Sequence, residues 1–536
     1  MTAMRYFDHH IATPLLLLTL LLASGCHGNV STSEPATEST SSTLITLSTS
    51  VIGSMTPRAV TENNAEPLAG SGEGEVHVLN LWLAKEGWMQ ATPDKTNAPI
   101  YQATFKVNGV QKPSEERDYT ILLNGHTLPL NTLSRSEQTT IGLDQISLLM
   151  DEKGFTMTGD VNRSAVIMPD VVTPARSGNN VFPTEGALPV ERVVSKAQLY
   201  KKSGFAVTGV PGTIASSSLR WAVAGSGKQV YLYRNNAGER TMGTDGLYDG
   251  LKTASAKSGL MKLSDVIKNT TDEGNFAWKE LSETASGKQS IAGGIYFYEH
   301  ALKEDTKGKD TPYPRTIGYD KVTYAKVYAD LGTISKGKKV KDGATPTEEA
   351  YTPADLTTTT AADFSGERKY DVTVTQEWYD TMKPTLGDQL TEADGVYTQH
   401  IVDTPGTFYV GFNGTIYNTL LAAMADGNKS ARKYTGGRMV YLTPLNAQGE
   451  QGKIYNCDTR RNNIYDLEIQ GVNGLGYNYD PVDPRDPYIP QPNDNPLEPD
   501  PVIPPINDTE ITIKVRAKVL NWNYIHQSYD LLGQTK

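Results

Sequence analysis

The chain has 536 residues, 38% of them apolar and 21% charged, which suffices for large cores and excludes wholesale disorder. Its 28 Tyr, 48 Gly and 30 Pro favour strands and turns over helical bundles. A net charge of -11 excludes nucleic acid as a partner drawn by the overall field, and two cysteines exclude a disulfide framework or a four-thiolate zinc site.

The N-terminus reads as an export signal. Arg5 is a sparse positive region, and Leu15 to Leu22 form an apolar run far short of the ~20 residues that span a bilayer. Small residues then precede a cysteine in Leu22-Ala23-Ser24-Gly25-Cys26, the pattern of a bacterial lipobox. There the signal is cut before Cys26, and the cysteine takes acyl chains that anchor the protein at about 0.8 kcal/mol per buried methylene. The alternative is an ordinary signal peptide with a chance cysteine. A Ser/Thr-rich tether from Ser31 to Thr43 follows. The other thiol, Cys457, reads as a buried small hydrophobe.

Leu44 to Ile52 read as a strand with Ile45, Leu47 and Val51 on one face. Beyond it, Arg58 is the only Lys or Arg between Cys26 and Lys85, in a polar stretch rich in glycine. Such a loop suits an arginine-specific protease, although isolated exposed arginines are also ordinary.

The body is expected to be strand after strand. Glu75 to Leu83 is nearly continuously apolar, and Asp118 to Leu123, Phe155 to Gly159 and Ala165 to Met168 continue the pattern. One short helix fits within Leu133 to Met150. Gly, Asn and Pro around Pro174 to Pro189 mark a domain boundary, and a second series of strands starts at Val190. It continues through Leu219 to Val223, Val230 to Tyr233, Lys321 to Tyr328, Thr407 to Phe412, Arg438 to Leu442 and Tyr465 to Ile469. Asn418 to Asp426 read as one or two helical turns, and Lys336 to Phe364 as a solvated surface loop.

Asp480 to Pro505 sets prolines among acidic residues. Proline fixes φ and removes a donor, so this stretch is expected to be a semi-rigid extended spacer reaching up to roughly 80 Å. After it comes the cleanest period-2 run in the chain: Ile511, Ile513, Val515, Ala517 and Val519 alternate with polar residues. This strand either folds back into its own domain or pairs with another molecule.

Signals for catalysis are poor. The histidines of the body are scattered, no H-E-x-x-H or G-x-S-x-G is present, and Gly225-Ser226-Gly227-Lys228 lacks the phosphate-loop spacing. Asp480, Asp483 and Asp486 are interrupted by prolines, unlike a calcium loop. No catalytic residue, metal or cofactor is expected, and the chain does not read as an enzyme.

Several pieces, in order, resemble the type V fimbrillins of Bacteroidetes, in particular the kind that builds the minor fimbria of Porphyromonas. They are the lipobox at Cys26, the strand before Arg58-Ala59, the strand at Val76 to Leu83 and Phe155-Thr156-Met157-Thr158-Gly159. Leu219-Arg220-Trp221-Ala222-Val223-Ala224, the block Arg460-Arg461-Asn462-Asn463-Ile464-Tyr465, the proline–acid spacer and the closing strand with Trp522 complete the set. The stretch from Lys303 to Tyr397 departs most.

The resemblance implies an all-β chain with two transthyretin-like β-sandwich domains. It implies a signal peptide at 1–25, a propeptide at 26–58, sandwich domains at 59–189 and 190–479, and a spacer with polymerisation strand at 480–536. It implies lipidation at Cys26, export to the outer membrane and cleavage between Arg58 and Ala59 by an arginine-specific protease. The cut frees the first strand, carrying Ile45, Leu47 and Val51. The C-terminal segment of a neighbour, with Ile511, Ile513, Val515, Ala517 and Val519, then fills the vacated groove. Loss of an edge strand exposes apolar surface and unpaired backbone, which a strand from outside repairs. Groove and donor lie on different surfaces, so the contact propagates as a filament.

The implied partners are identical subunits, accessory tip and anchor subunits, the maturation protease, and host or bacterial surface proteins. The implied function is a fimbrial shaft subunit that supports adhesion and biofilm formation. The alternatives are a tip or anchor subunit, and a glycan-binding surface lipoprotein using Trp82, Trp88 or Trp221, which more often serve as core.

Overall fold

The computed structural model describes residues 41–51, most of 75–233, the pieces 260–261, 279–281 and 294–300, most of 317–506, and the strands at 512–521 and 529–530. The fold is all-β, as expected, and is built of several sheets.

The first sheet holds nine strands among the described residues: β1 (Ser41–Val51), β2 (Leu79–Leu83), β3 (Gly87–Ala91), β4 (Ile100–Val110), β5 (Glu115–Leu123), β6 (Met157–Thr158), β7 (Arg163–Ile167), β8 (Val181–Phe182) and β9 (Leu188–Arg192). β4 shows why: Tyr101, Ala103, Phe105 and Val107 are buried and alternate with less buried Gln102, Thr104, Lys106 and Asn108. β9 pairs with β1 through Thr49–Leu188 to Val51–Val190 and with β6 through Glu191–Thr158 and Arg192–Met157. The two halves of the sheet thereby share one apolar core, in which Ile45, Leu47 and Val51 meet Leu79, Leu81, Ile121, Ile167 and Val190.

The terminal sheet runs β11 (Ile295–Phe297), β10 (Ser195–Thr208), β12 (Asn463–Asn473), β13 (Thr512–Asn521) and β14 (Tyr529–Asp530). β10 lies parallel to β12, and β12 antiparallel to β13. Gly471 of β12 faces Ala206 so closely that a Cβ would stand 2.4 Å from its carbonyl oxygen. Another sheet is centred on Tyr324–Ile334, flanked by Arg220–Ala224 and Arg438–Pro444.

Several expectations change. The division placed at 189/190 falls inside β9, which belongs to the first sheet. The move to the terminal sheet comes at Ser195. A core cluster containing Leu122, Phe155, Val194, Trp221, Tyr296 and Tyr465 continues across that point, and the Phe155 and Tyr296 rings lie 4.9 Å apart. The helix within 133–150 is a single 3-10 segment, Leu143–Leu148. Residues 336–364 contain two strands, Gly337–Val340 and Leu356–Thr359, that pair with each other. A helix at Gln376–Leu386, capped by Thr375, was not anticipated. Its apolar residues are few, and only Met382 and Leu386 are buried.

The proline–acid stretch also departs from a free spacer. Asp480, Asp486, Asn495 and Ile506 are buried against the body. The composition rules out sheet interior, but carboxylates and carbonyls can still satisfy buried donors of neighbouring strands, and here they do.

Candidate functional site

The site is the slot that β1 occupies. β1 is not the edge strand the sequence suggested. On one side it pairs antiparallel with β4, from Ser41–Val110 to Ser50–Ile100. On the other it pairs parallel with β8 and then β9. Two walls therefore present backbone groups to one strand. Ile45, Leu47 and Val51 are at most 2% exposed, and burying three such side chains contributes roughly 5–9 kcal/mol before ordering costs.

Polar groups seal the slot. Thr46 and Thr104 hydroxyls lie 2.9 Å apart, and Gln102 Nε2 donates to Ser48 Oγ at 2.9 Å. Asn180, which has φ +61°, is the hub at the entrance, since Asn tolerates that region. Its Nδ2 donates to Leu44 O at 3.0 Å, Thr43 Oγ1 at 2.9 Å and Met168 O at 2.8 Å. Its Oδ1 accepts from Met168 N, and its carbonyl accepts from Thr46 N. Thr43 Oγ1 in turn donates to Met168 O and accepts from Val171 N. Neither Asn180 nor Thr43 stood out in the sequence. The Gly/Asn/Pro run that contains Asn180 reads in sequence as a domain boundary, and nothing local showed which strand it would hold.

The β4 wall is braced by Arg117, whose Nη2 meets Glu115 Oε2 at 3.0 Å and Gly109 O at 3.0 Å. Hydrogen bonding from Arg117 and Lys85 holds the Glu115 carboxyl down at about 2, against the opposing effect of burial.

The Arg460-to-Tyr465 block forms a clasp between the two sheets. Asn462, with φ +58°, turns the chain into β12. Its N donates to Val194 O, and its Oδ1 accepts from Arg192 Nη1 at 3.1 Å. Arg461 Nε donates to Glu299 Oε1 at 2.8 Å, and its N to Glu299 Oε2 at 2.9 Å, with Glu191 of β9 at 3.8 Å. Burial pushes the Glu299 carboxyl up, and Arg461 opposes the shift. The clasp thus grips β9 one residue beyond its pairing with Val51.

In the terminal strand, Ile513, Val515, Ala517 and Val519 stand opposite Val472, Ile469, Leu467 and Tyr465 of their own chain. Here β13 completes its own sheet. Ile511, Cys26, Arg58 and Ala59 lie outside the described residues. Trp221 is 1% exposed and buried in the core, while Trp82 and Trp88 are cross-strand partners with Arg135 over the Trp82 ring. Cys457 is buried, which pushes its thiol well up, in keeping with a packing role. No helix among the described residues is long and apolar enough to cross a membrane.

Residues 432–528 match the family model for the C-terminal part of the type IV major fimbrial subunit protein, fimbrillin. That region contains the clasp, β12 and β13, so the chain is fimbrillin-like where its terminal sheet closes. No curated protein matches the sequence. Among solved structures, the fimbrilin fimA of Porphyromonas gingivalis is similar at 14% identity, covering 90% of this chain and 99% of its own, with a TM-score of 0.36. The tip fimbrial protein Mfa3 of the same organism, truncated at its C-terminus, is similar at 12% identity, covering 67% and 99%, with a TM-score of 0.24. A fimbrial assembly protein of Parabacteroides distasonis gives 10% identity, 68% and 97% coverage, and a TM-score of 0.24. Superpositions this loose carry no weight beside the strand pairing.

Proposed function

We propose that the chain is a structural subunit of a bacterial surface fimbria, made as an outer-membrane lipoprotein precursor acylated at Cys26. Cleavage after Arg58 releases β1, leaving 478 residues (536−58). The terminal strand of the next copy, Ile511 to Val519, then fills the slot, and repetition builds the shaft. The fimbria serves adhesion and biofilm formation, with accessory tip and anchor subunits at its ends.

One observation carries the reading. The first strand among the described residues is an interior strand held between two walls, and a lone arginine follows it in sequence. Taking out such a strand leaves two ladders and an apolar channel open, a state that water tolerates poorly and an incoming strand repairs. The fimbrillin match over residues 432–528 supports the same class.

A second reading has its own observation. β13 sits on its own sheet, as it would in a tip subunit that accepts a strand and donates none. Comparing the full chain with one truncated after Ile506 separates the two, because a tip subunit that donates no strand gives no ladder in either form. After cleavage at Arg58, a shaft subunit without its arm stays monomeric, whereas the full chain gives an SDS ladder that collapses on boiling. A ladder from the truncated chain would remove the donor role.

A further inference from the structure

We infer that the arm passed between copies begins after Ile506, and that the segment fastened at Asp480, Asp486, Leu497, Glu498 and Pro504 to Ile506 stays behind as a strap on its own subunit. This rests on the strand-exchange reading above and specifies which segment of the second copy crosses.

The strap is held at its start, middle and end. At the start, Lys326 Nζ meets Asp480 Oδ2 at 3.2 Å, with the two side chains 1% and 0% exposed. Tyr324 OH donates to the same oxygen at 3.2 Å, Tyr328 OH donates to Asp486, and Asp480 N donates to Asp486 Oδ2 at 3.1 Å. In the middle, Ala431 N donates to Leu497 O at 2.9 Å and Lys433 N to Glu498 Oε2 at 2.8 Å. Asn478 Nδ2 donates to Glu498 Oε1 at 2.7 Å. At the end, Gly318 and Pro505 form an antiparallel bridge, Tyr319 N donates to Pro504 O at 3.2 Å, and Ile506 N donates to Ile317 O at 2.9 Å.

Lifting the strap and releasing β13 are different events. The first would take the carboxylate from a buried ammonium and the acceptors from buried amides. The second opens the edge of one sheet, where water can reach the freed backbone groups. The strap therefore resists release, and β13 is the element that can leave.

Reach follows from this boundary. From Ile506 to the first residue of β13 there are six Cα steps, spanning at most roughly 20 Å. An arm hinged at Asp480 would reach roughly 100 Å. The acceptor slot must then lie close to the Ile506 corner of the donor, so a filament of this chain is compact along its axis.

Two pairs of cysteines in the full chain test this after cleavage at Arg58, when Cys457 is the one native thiol left and is buried. Ile317→Cys with Ile506→Cys pins the strap. Glu468→Cys with Arg516→Cys, opposite each other in the register, pins β13. Under oxidation, the strap-pinned chain should give the same SDS ladder as the parent. The arm-pinned chain should give none, and reductant should restore it, which also shows that the variant folds. A strap-pinned chain that polymerises only after reduction would overturn the boundary. Polymerisation of both oxidised chains would overturn strand exchange by β13 itself.

Discussion

Asn180 Nδ2 donates to the carbonyl oxygen of Leu44 at 3.0 Å, joining residues 136 apart in sequence. That bond makes a loop residue a keeper of the first strand. The same amide also serves Thr43 and Met168, so the strand and the loop after β7 are held as one polar unit.

Asn180→Ala should therefore act mainly on the precursor. Losing these bonds, and forcing alanine to φ +61°, should cost about 2–4 kcal/mol in the uncleaved chain. In the chain starting at Ala59 the partners Thr43 and Leu44 are absent, and the cost should be smaller. Urea unfolding of both forms checks this; equal costs would mean that Asn180 holds the loop and not the strand.

Arg58→Ala should leave the precursor whole. The expected products are a single SDS band without boiling and a surface form whose N-terminus is not Ala59. Normal filaments from this variant would refute processing at Arg58.

Arg461→Ala should destabilise by about 3–5 kcal/mol, because it leaves the Glu299 carboxyl buried without its guanidinium. Adding Glu299→Gln should recover part of the loss, as thermal or urea unfolding of the single and double variants would show. Additive losses would mean that the two residues act separately.

Acid should weaken the β4 wall through Glu115. Its carboxyl sits at about 2 in the folded chain against an ordinary value of 4.5, so folding favours the charged form. The resulting stability is complete above the ordinary value and is lost as pH falls from about 4.5 to about 2. Glu115→Gln should be less stable than the parent near neutrality, and the gap should close across that window. A gap unchanged at low pH would contradict the role of the Arg117 hydrogen bond.

Much of the fold was legible because its signals are local. Alternation along Ile45, Leu47 and Val51 gave β1 its buried face, and the run at Leu79–Leu83 gave a strand buried among others. The helix at Gln376–Leu386 was missed because its apolar face is thin. Residues 189/190 fall inside β9 because the loop-rich stretch is interrupted by β8 and β9, whose pairing with β1 no local pattern reveals.

Composition and periodicity by themselves determined the all-β class, the inward face of the first strand, and the exclusion of the proline–acid stretch from sheet interior. These depend on φ restriction and on the alternation of side chains along a strand, which neighbours in sequence are enough to specify. Only the tertiary structure decided that β1 has two walls, that Asn180 fastens it while Asn462 fastens the neighbouring β9, and that the proline stretch is a strap. Each of those facts is a hydrogen bond between residues far apart in the chain, and such pairing exists only once the sheets have closed.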